Sequence, residues 1–492
     1  MATSTATLPG STIPVESIIY IRRRQPEQQD PAGYDVYGLE EVAKAAGEAG
    51  QQQTGYRLLH EQLTSVPQTW IDELLVSEIP AYLRSERRDR QVHVVVSTKS
   101  GTGRASDFER NVLHKIFHEL GLRETDDSGH GSETASEESK TSYYHVENTS
   151  GPQSIGAFGS SLGSSGKHTI VLLSGDGGVV ELLNAIDTRQ EADHEAGGSQ
   201  PEPRQPLIAV LPLGTGNALF NSLHKQTVSG TPAVSPLVQG LRTLLRGKDA
   251  PLPCFRAEFS QGSHLVHGSD RGELVSKLYG AIVASYGFHS QLVWESDTEE
   301  YRKHGDKRFQ MVAGELLKEA HGYQATVELL SSTSSDGRPG SATKIDRDRH
   351  AYILATMVSN LERTFTISPH SKPLDNTLRL VHFGIGNGPE QGKRIMDVMM
   401  KAYDDGKHIG MRWTDADEAA EGGDGGSGQE YAVGYDEVPT AVKITTHESD
   451  DRWRKVCIDG TIVEIPEGGS MTVSRETAGR LRILVDPAAL EE

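Results

Sequence analysis

One stretch constrains this chain more than any other: Thr169-Ile-Val-Leu-Leu-Ser-Gly-Asp-Gly-Gly-Val-Val-Glu-Leu-Leu-Asn184. The short apolar run Thr169 to Leu173 reads as a buried parallel strand. Ser174 to Gly178 forms a glycine-rich turn. Val179, Val180, Leu182, Leu183 and Ile186 then place apolar residues on one side of a following helix. A strand that turns through glycines into a helix gathers backbone N–H groups and a helix N-terminus at one point, which is how proteins cradle phosphate. Gly175, Gly177 and Gly178 supply that turn. Asp176 is the odd member, because a bound anion repels a carboxylate. Its presence calls for a chemical role, either holding a magnesium ion or taking a proton from an attacking hydroxyl.

The same grammar recurs downstream. Leu207-Ile-Ala-Val-Leu211 is a strand, Pro212-Leu-Gly-Thr-Gly-Asn217 a turn, and Ala218 to Leu223 the start of a helix. Gly214 and Gly216 allow close backbone approach, while Thr215 and Asn217 offer side-chain hydrogen bonds. Upstream, Val92-His-Val-Val-Val96 is a strand and Ser97 to Ala105 its loop. Ser106 and Glu109 read as a capping box. Phe108, Val112, Ile116 and Leu120 line one helix face, which Gly121 ends. Any one of these loops alone is an ordinary tight turn; their succession at this spacing is a strong signal.

Asp176 with its glycines, Glu181 and Asn184, followed by Pro212 to Leu219, resembles the catalytic domain shared by diacylglycerol, sphingosine and ceramide kinases, and the resemblance spans Val92 to Leu484. Lys99-Ser-Gly-Thr-Gly-Arg-Ala105 resembles the family's first motif, Asn-Pro-x-Ser-Gly-x-Gly-x-Ala, with Ser97-Thr98 in place of the Asn-Pro that lies near the nucleotide base. The resemblance implies that Ser100, Gly101, Gly103, Gly175, Gly177, Gly178, Gly214, Thr215, Gly216 and Asn217 hold ATP. It makes Asp176 the general base for a lipid hydroxyl. Glu181 either orients the loop or a metal-bound water, or is a helix N-terminal carboxylate favoured by the dipole.

Further on, Ser285-Tyr-Gly-Phe-His-Ser-Gln-Leu-Val-Trp-Glu-Ser296, Tyr301 to Gly305 and Arg308-Phe309 resemble sphingosine and ceramide kinases. Arg302 and Arg308 match two arginines that reach the nucleotide phosphates there; the alternative is plain helix-surface charge. Leu361 to Leu380, with Val381-His-Phe-Gly, resembles a surface loop and strand. Asp459 and Gly460 match the closing Asp-Gly-Glu motif, with Thr461 in place of its Glu. Asp459 thus helps to place Mg²⁺ or the nucleotide, or sits in a hairpin turn. Sphingosine kinases pair the substrate ammonium with an aspartate in this region. Alignment on Glu295-Ser296 puts Val293 there, with Gln291 at a second family aspartate. Alignment on Tyr301-Arg302 puts Glu295 there instead. The first alignment, which needs no gap, predicts a substrate without a free amine.

The 492 residues suffice for two or three domains. We read an N-terminal extension over 1–90, an α/β domain with a parallel Rossmann-like sheet over 91–247, and a mostly antiparallel β domain over 248–492. In the extension, Ile18 to Ile21 is a strand and Trp70 to Ile79 a helix. In the β domain, Leu278 to Phe288 is one strand, Asp297 to His321 a helix, and Leu481 to Leu484 the last strand. Hydrophobic content of 35 % lies below the usual globular share and implies long loops. Residues 124–140, 151–166 and 415–434 are expected to be mobile, with an acidic loop over 187–205.

Acidic residues outnumber basic ones 69 to 49, which disfavours nucleic acid and simple adsorption to anionic membranes. Two cysteines make no disulfide framework or zinc cluster. The start of the chain lacks the pattern of a signal peptide, and no apolar run is long enough for a span. A cytoplasmic enzyme with transient membrane contact is expected, its oligomeric state open. The expected cofactors are ATP and Mg²⁺. A soluble NAD kinase-like enzyme and a catalytically weak scaffold stand as alternatives.

Overall fold

Strands, not helices, organise the chain, and they fall into separate sheets. The structure, a computed structural model, describes residues 7–8, 10–25, 32–44, 53–85, 90–101, 103–125, 141–162, 166–195, 205–225, 234–268, 270–304, 307–332, 340–386, 389–412 and 432–490. Its internal contacts define two units: Met1–Thr215 with Leu223–Pro251 and Arg480–Glu492, and Gly216–Ser222 with Leu252–Gly479.

In the first unit the sheet order is Leu122–Glu124, Ser142–Asn148, Arg90–Val96, Lys167–Ser174, Leu207–Pro212, Arg482–Val485, Lys248–Pro251. Neighbours run parallel until the last pair, which is antiparallel. Val92, Val94, Val96 and Ile170 to Leu173 are almost fully buried, as continuous apolar runs between two helical layers must be. The final strand is a correction. Read in sequence order, Leu481 to Leu484 belonged to the antiparallel domain. Instead the chain returns and inserts this strand beside Leu207–Pro212.

The helix after the first strand begins at Ala105 with Arg104 as its N-cap and no side-chain cap bond. Ser106 is therefore already inside the helix, and the expected capping box does not form. A π-helical turn occupies Glu109–Leu113, and Gly121, with φ of 90°, closes the helix in the left-handed region. The Ser154–Ser161 helix overturns expected mobility over that part of 151–166. Its Gly159 sits so close to Ala185 that an added Cβ would lie 3.0 Å from the alanine methyl. The helix that starts at Asp176 continues to Glu195, so the loop expected from residue 187 begins later. Thr188-Arg-Gln-Glu-Ala192 contains good helix formers, and no glycine interrupts them before Gly197. The stretches 126–140 and 413–431, on which further expected mobility fell, lie outside the described residues.

The N-terminal region forms a three-stranded antiparallel sheet, Ile18–Arg24, Gly33–Lys44 and Gln53–Leu63, of which only the first strand was expected. The helix read over Trp70 to Ile79 spans Gln68–Leu74. Arg242 joins this sheet to the α/β core, donating from Nε and Nη2 to the Ile18 carbonyl at 2.8 and 2.6 Å. Burial lowers its guanidinium to about 10.

The second unit is built on antiparallel strands around a core that includes Phe255, Tyr286, Val327, Ile353, Val442, Val456 and Met471. The run read as one strand from Leu278 to Phe288 is three pieces: Lys277–Gly280, Val283–Gly287, and a helix, Phe288–Ser296, that starts where Gly287 adopts φ of 99°. The helix expected over Asp297 to His321 is broken into Glu299–Arg302 and Lys307–Glu319.

Candidate active-site loops

In the first unit the glycine loops leave the carboxyl ends of adjacent parallel strands. The first and second are tied by hydroxyls. Ser100 Oγ lies 2.7 Å from Ser97 Oγ and 3.2 Å from Ser174 Oγ, and Ser97 N–H donates to the Leu173 carbonyl at 3.0 Å. The second and third are tied by Leu213 N–H, which donates to the Ser174 carbonyl at 3.2 Å. Thr98 is fastened to Thr149 through its N–H and its hydroxyl, at 3.0 and 2.8 Å. Sequence reasoning missed Ser97, Thr149 and Ser174. The signal for Ser174 was present, in a hydroxyl that closes a buried apolar strand.

Gly101 must be glycine. Its φ is 53°, and a Cβ there would stand 2.5 Å from the Leu213 carbonyl oxygen and 3.2 Å from Gly214 C. Gly178 is equally confined, with Ser174 Oγ 2.6 Å from a hypothetical Cβ. Gly103 has φ of 70°. Gly177 differs: it is exposed, and a Cβ would meet nothing within 4 Å. So the protein itself does not require glycine at position 177, where a ligand backbone contact would. Asp176 is half-buried as the first residue of the Asp176–Glu195 helix. Gly175 and Gly214 are half-buried and Thr215 is exposed.

Glu181 is occupied within the protein. Its Oε2 accepts the Gly156 N–H at 3.0 Å, which fastens the Ser154–Ser161 helix to its own. Burial raises its carboxyl above the usual range, against a lowering by the Gly156 and Ile155 backbone. Asn184 Nδ2 donates to the Val180 carbonyl at 2.9 Å, one turn back in the same helix.

The remaining candidates fall in the second unit. Gly216 is not in the left-handed region; Asn217 is, with φ of 51°. Asparagine tolerates that conformation better than most residues, and Gly216 needs its lack of a side chain only for space, since a Cβ would lie 3.3 Å from the Leu361 carbonyl oxygen. Asp459 occupies a hairpin turn with φ of 47°, followed by Gly460 at 93°. Its carboxylate accepts backbone N–H groups from Ala281 at 2.6 Å, Ile282 at 3.1 Å and Val283 at 2.5 Å. These bonds hold the kink that breaks the expected long strand. Among the described residues no group of three acidic, histidine or cysteine side chains could hold a metal.

Arg308 stands 3.4 Å from Asp297 Oδ1 and lies over the Phe309 ring, so it already has a carboxylate partner. The side chain of Arg302 lies outside the described residues, as does Gly305. Val293 packs beside Val266, Cys457 and Ile462. Gln291 donates to Glu295 at 2.6 Å, and Arg452 reaches the same carboxylate at 2.9 Å. Arg452 also grips Glu319 with two bonds of 3.0 Å. Glu295 is thereby neutralised by a resident guanidinium.

Residues 91–246 match the family model of the diacylglycerol kinase catalytic domain. Among solved structures, a diacylglycerol kinase from Bacillus anthracis str. Sterne is 12 % identical, over 82 % of this chain and 100 % of its own, with a TM-score of 0.44. Yeast NADH kinase complexed with NADH is 11 % identical, over 82 % of this chain and 88 % of its own, with a TM-score of 0.35. No curated protein matches the chain in sequence.

Proposed function

From the diacylglycerol kinase catalytic domain that residues 91–246 carry, we propose that this chain is an ATP-dependent lipid kinase, transferring the γ-phosphoryl group to a lipid hydroxyl. The observation that carries the reading is the position of Asp176. It heads a helix at the carboxyl end of a buried parallel strand, beside an exposed glycine and between neighbouring glycine loops.

Phosphoryl transfer asks a protein mainly for positioning and charge compensation. The backbones of Ser100, Gly101, Gly103, Gly175, Gly177 and Gly178, with Gly214 and Thr215, cradle the phosphates. Asp176 accepts the proton of the lipid hydroxyl as its oxygen bonds to the γ-phosphorus; the bond to the bridging oxygen breaks, and ADP leaves. Glu181 holds its helix against Ser154–Ser161 and so fixes the loop above it. The residues fit a magnesium ion that arrives with the nucleotide and takes most of its ligands from phosphate and water; they do not fit a dedicated metal cage. Asp459 serves the fold. Among the described residues no helix is long and apolar enough to cross a membrane.

The test is transfer of label from γ-labelled ATP with diacylglycerol, ceramide and sphingosine in mixed micelles, and with NAD in solution. Label in a lipid is the expected result. Label in NAD alone, or in nothing, would overturn the proposal.

A further inference from the structure

A cavity of about 410 Å³ opens within the first unit. It lies between the segment that follows the Gln68–Leu74 helix and the turn that leads from the Pro236–Arg246 helix into the Lys248–Pro251 strand. Its volume falls in the range of small-ligand sites, about 300–1,000 Å³. No residue of the glycine loops lines it. Leu75, Pro80 and Leu245 supply apolar wall, and Ser77, Arg246 and Lys248 supply polar groups.

The chain as a whole is acidic, 69 residues against 49, yet the two cations of this cavity have no carboxylate partner. Arg246 is half-buried. Its Nη2 donates to the Asp72 carbonyl at 2.8 Å, and its Nη1 is enclosed without an acceptor among the described residues. Lys248 is exposed and its ammonium has no partner among the described residues. The Ser77 hydroxyl is likewise exposed and unengaged among them. Two acids also line the cavity, and each is neutralised by an arginine that does not: Glu78 pairs with Arg84 at 2.5 Å, and Asp249 pairs with Arg482. With those arginines included, the surroundings carry four cations and two carboxylates. A helix C-terminus attracts cations through its dipole, which accounts for basic residues at this place. It does not use them up. The Thr243 carbonyl accepts the Gly247 N–H at 2.7 Å, and the Leu244 carbonyl accepts the Tyr82 hydroxyl at 3.0 Å.

We propose that this cavity binds an amphiphilic anion, an oxyanion head carrying a short apolar chain. Lys248 and Ser77 donate to the head. Arg246 compensates its charge from a half-buried position, where attraction is screened less than in water. The chain lies against Leu75, Pro80 and Leu245. The inference does not depend on the lipid-kinase reading. An occupant ties the end of the N-terminal extension to the Lys248–Pro251 strand, so binding stabilises the first unit by mass action.

The full chain is titrated by calorimetry in low-salt buffer with octyl phosphate below its micelle threshold. Inorganic phosphate and octyltrimethylammonium are titrated beside it. Octyl phosphate is expected to occupy one site about tenfold or more tightly than inorganic phosphate, because the chain adds apolar burial, and to raise the melting temperature. Octyltrimethylammonium, with the same chain and the opposite charge, is expected not to bind. Lys248→Glu reverses a charge at an exposed position and should weaken octyl phosphate by about tenfold. Arg246→Gln should weaken it as well. Wild-type affinity in folded Lys248→Glu would place the anion elsewhere, in the glycine loops or on the open surface, and overturn the inference. So would equal affinity for octyl phosphate and inorganic phosphate, or no binding of octyl phosphate at all. If Arg246→Gln does not fold for want of its bond to Asp72, Lys248→Glu, which breaks no contact, decides the matter alone.

Discussion

Asp176 and Asp459 are both aspartates in glycine turns, and different work is expected of each. Asp459 accepts backbone N–H groups from Ala281, Ile282 and Val283. Removing it leaves three donors orphaned in a buried place, each costing about 1–3 kcal/mol. Asp459→Ala should therefore lower stability by about 3 kcal/mol or more, read as a shift of the denaturant midpoint. A midpoint within experimental error of wild type would show that water replaces the carboxylate at no cost. Asp176→Asn should do the reverse. The amide keeps the shape but cannot take the proton, so turnover should fall by about 10²–10⁴ while nucleotide affinity and melting temperature stay at wild-type values. Turnover near wild type would overturn the proposed role of Asp176 as base. Gly101→Ala tests the cradle itself. Its methyl would stand 2.5 Å from the Leu213 carbonyl at a positive φ, so the loop must move, and nucleotide affinity should drop. Unchanged affinity in equilibrium binding would show that the loop is packing alone.

Among the elements, what the sequence made legible was the alternation of apolar strand, glycine turn and helix, because a fully buried strand leaves a continuous apolar run and a tight turn leaves glycine. The Ser154–Ser161 helix was hidden, since serine and glycine composition looks like a linker while Gly159 is there to let two helices touch. The Gly33–Lys44 and Gln53–Leu63 hairpin was hidden by charged residues such as Glu40, Glu41 and Arg57, which an exposed sheet face tolerates. The glycine loops and the helix that starts at Asp176 could be read from spacing, but the Ser285–His289 pairing could not. It depends on the reversal at Gly287. Glu181 belongs at this scale because it couples two helices. Its folded carboxyl titrates above its unfolded value, so the charge it carries at neutral pH opposes folding. Stability from this group is greatest below the unfolded value, near 4.5, and falls as pH rises through the folded one. Glu181→Gln keeps an oxygen for Gly156 N–H and removes that charge. The variant should melt at or above the wild-type temperature at about pH 7, with a flatter dependence on pH above 4.5. A lower melting temperature at that pH would mean that the ionised carboxylate is preferred there.

At the scale of the whole molecule, the path of the chain matters more than its composition. The sequence runs through the parallel sheet, leaves for a long antiparallel excursion, and returns at Arg480 to complete the sheet it left. Motif order alone could not reveal this, because a short apolar strand such as Arg482–Val485 reads the same in either sheet. The returning strand lies between Leu207–Pro212 and Lys248–Pro251, so it is an interior member, and Ile483, Leu484 and Val485 are all almost completely buried. Burial of each such side chain is worth about 1.5–3 kcal/mol. Their sum approaches the whole stability of an ordinary domain, about 5–15 kcal/mol. Deleting the strand would also leave the backbone of Leu207 and Ile208 without its parallel partner, detach Lys248–Pro251, and open a sheet edge next to the third glycine loop. A chain ending at Gly479 should therefore lose the cooperative melting of the α/β unit and its nucleotide binding together, although it keeps every glycine loop and Asp176. Supplying residues 480–492 as a separate peptide should restore both in part. A truncated chain that melts with the full-length profile and still binds nucleotide would show that the glycine loops and the first five strands of the sheet are sufficient without the return.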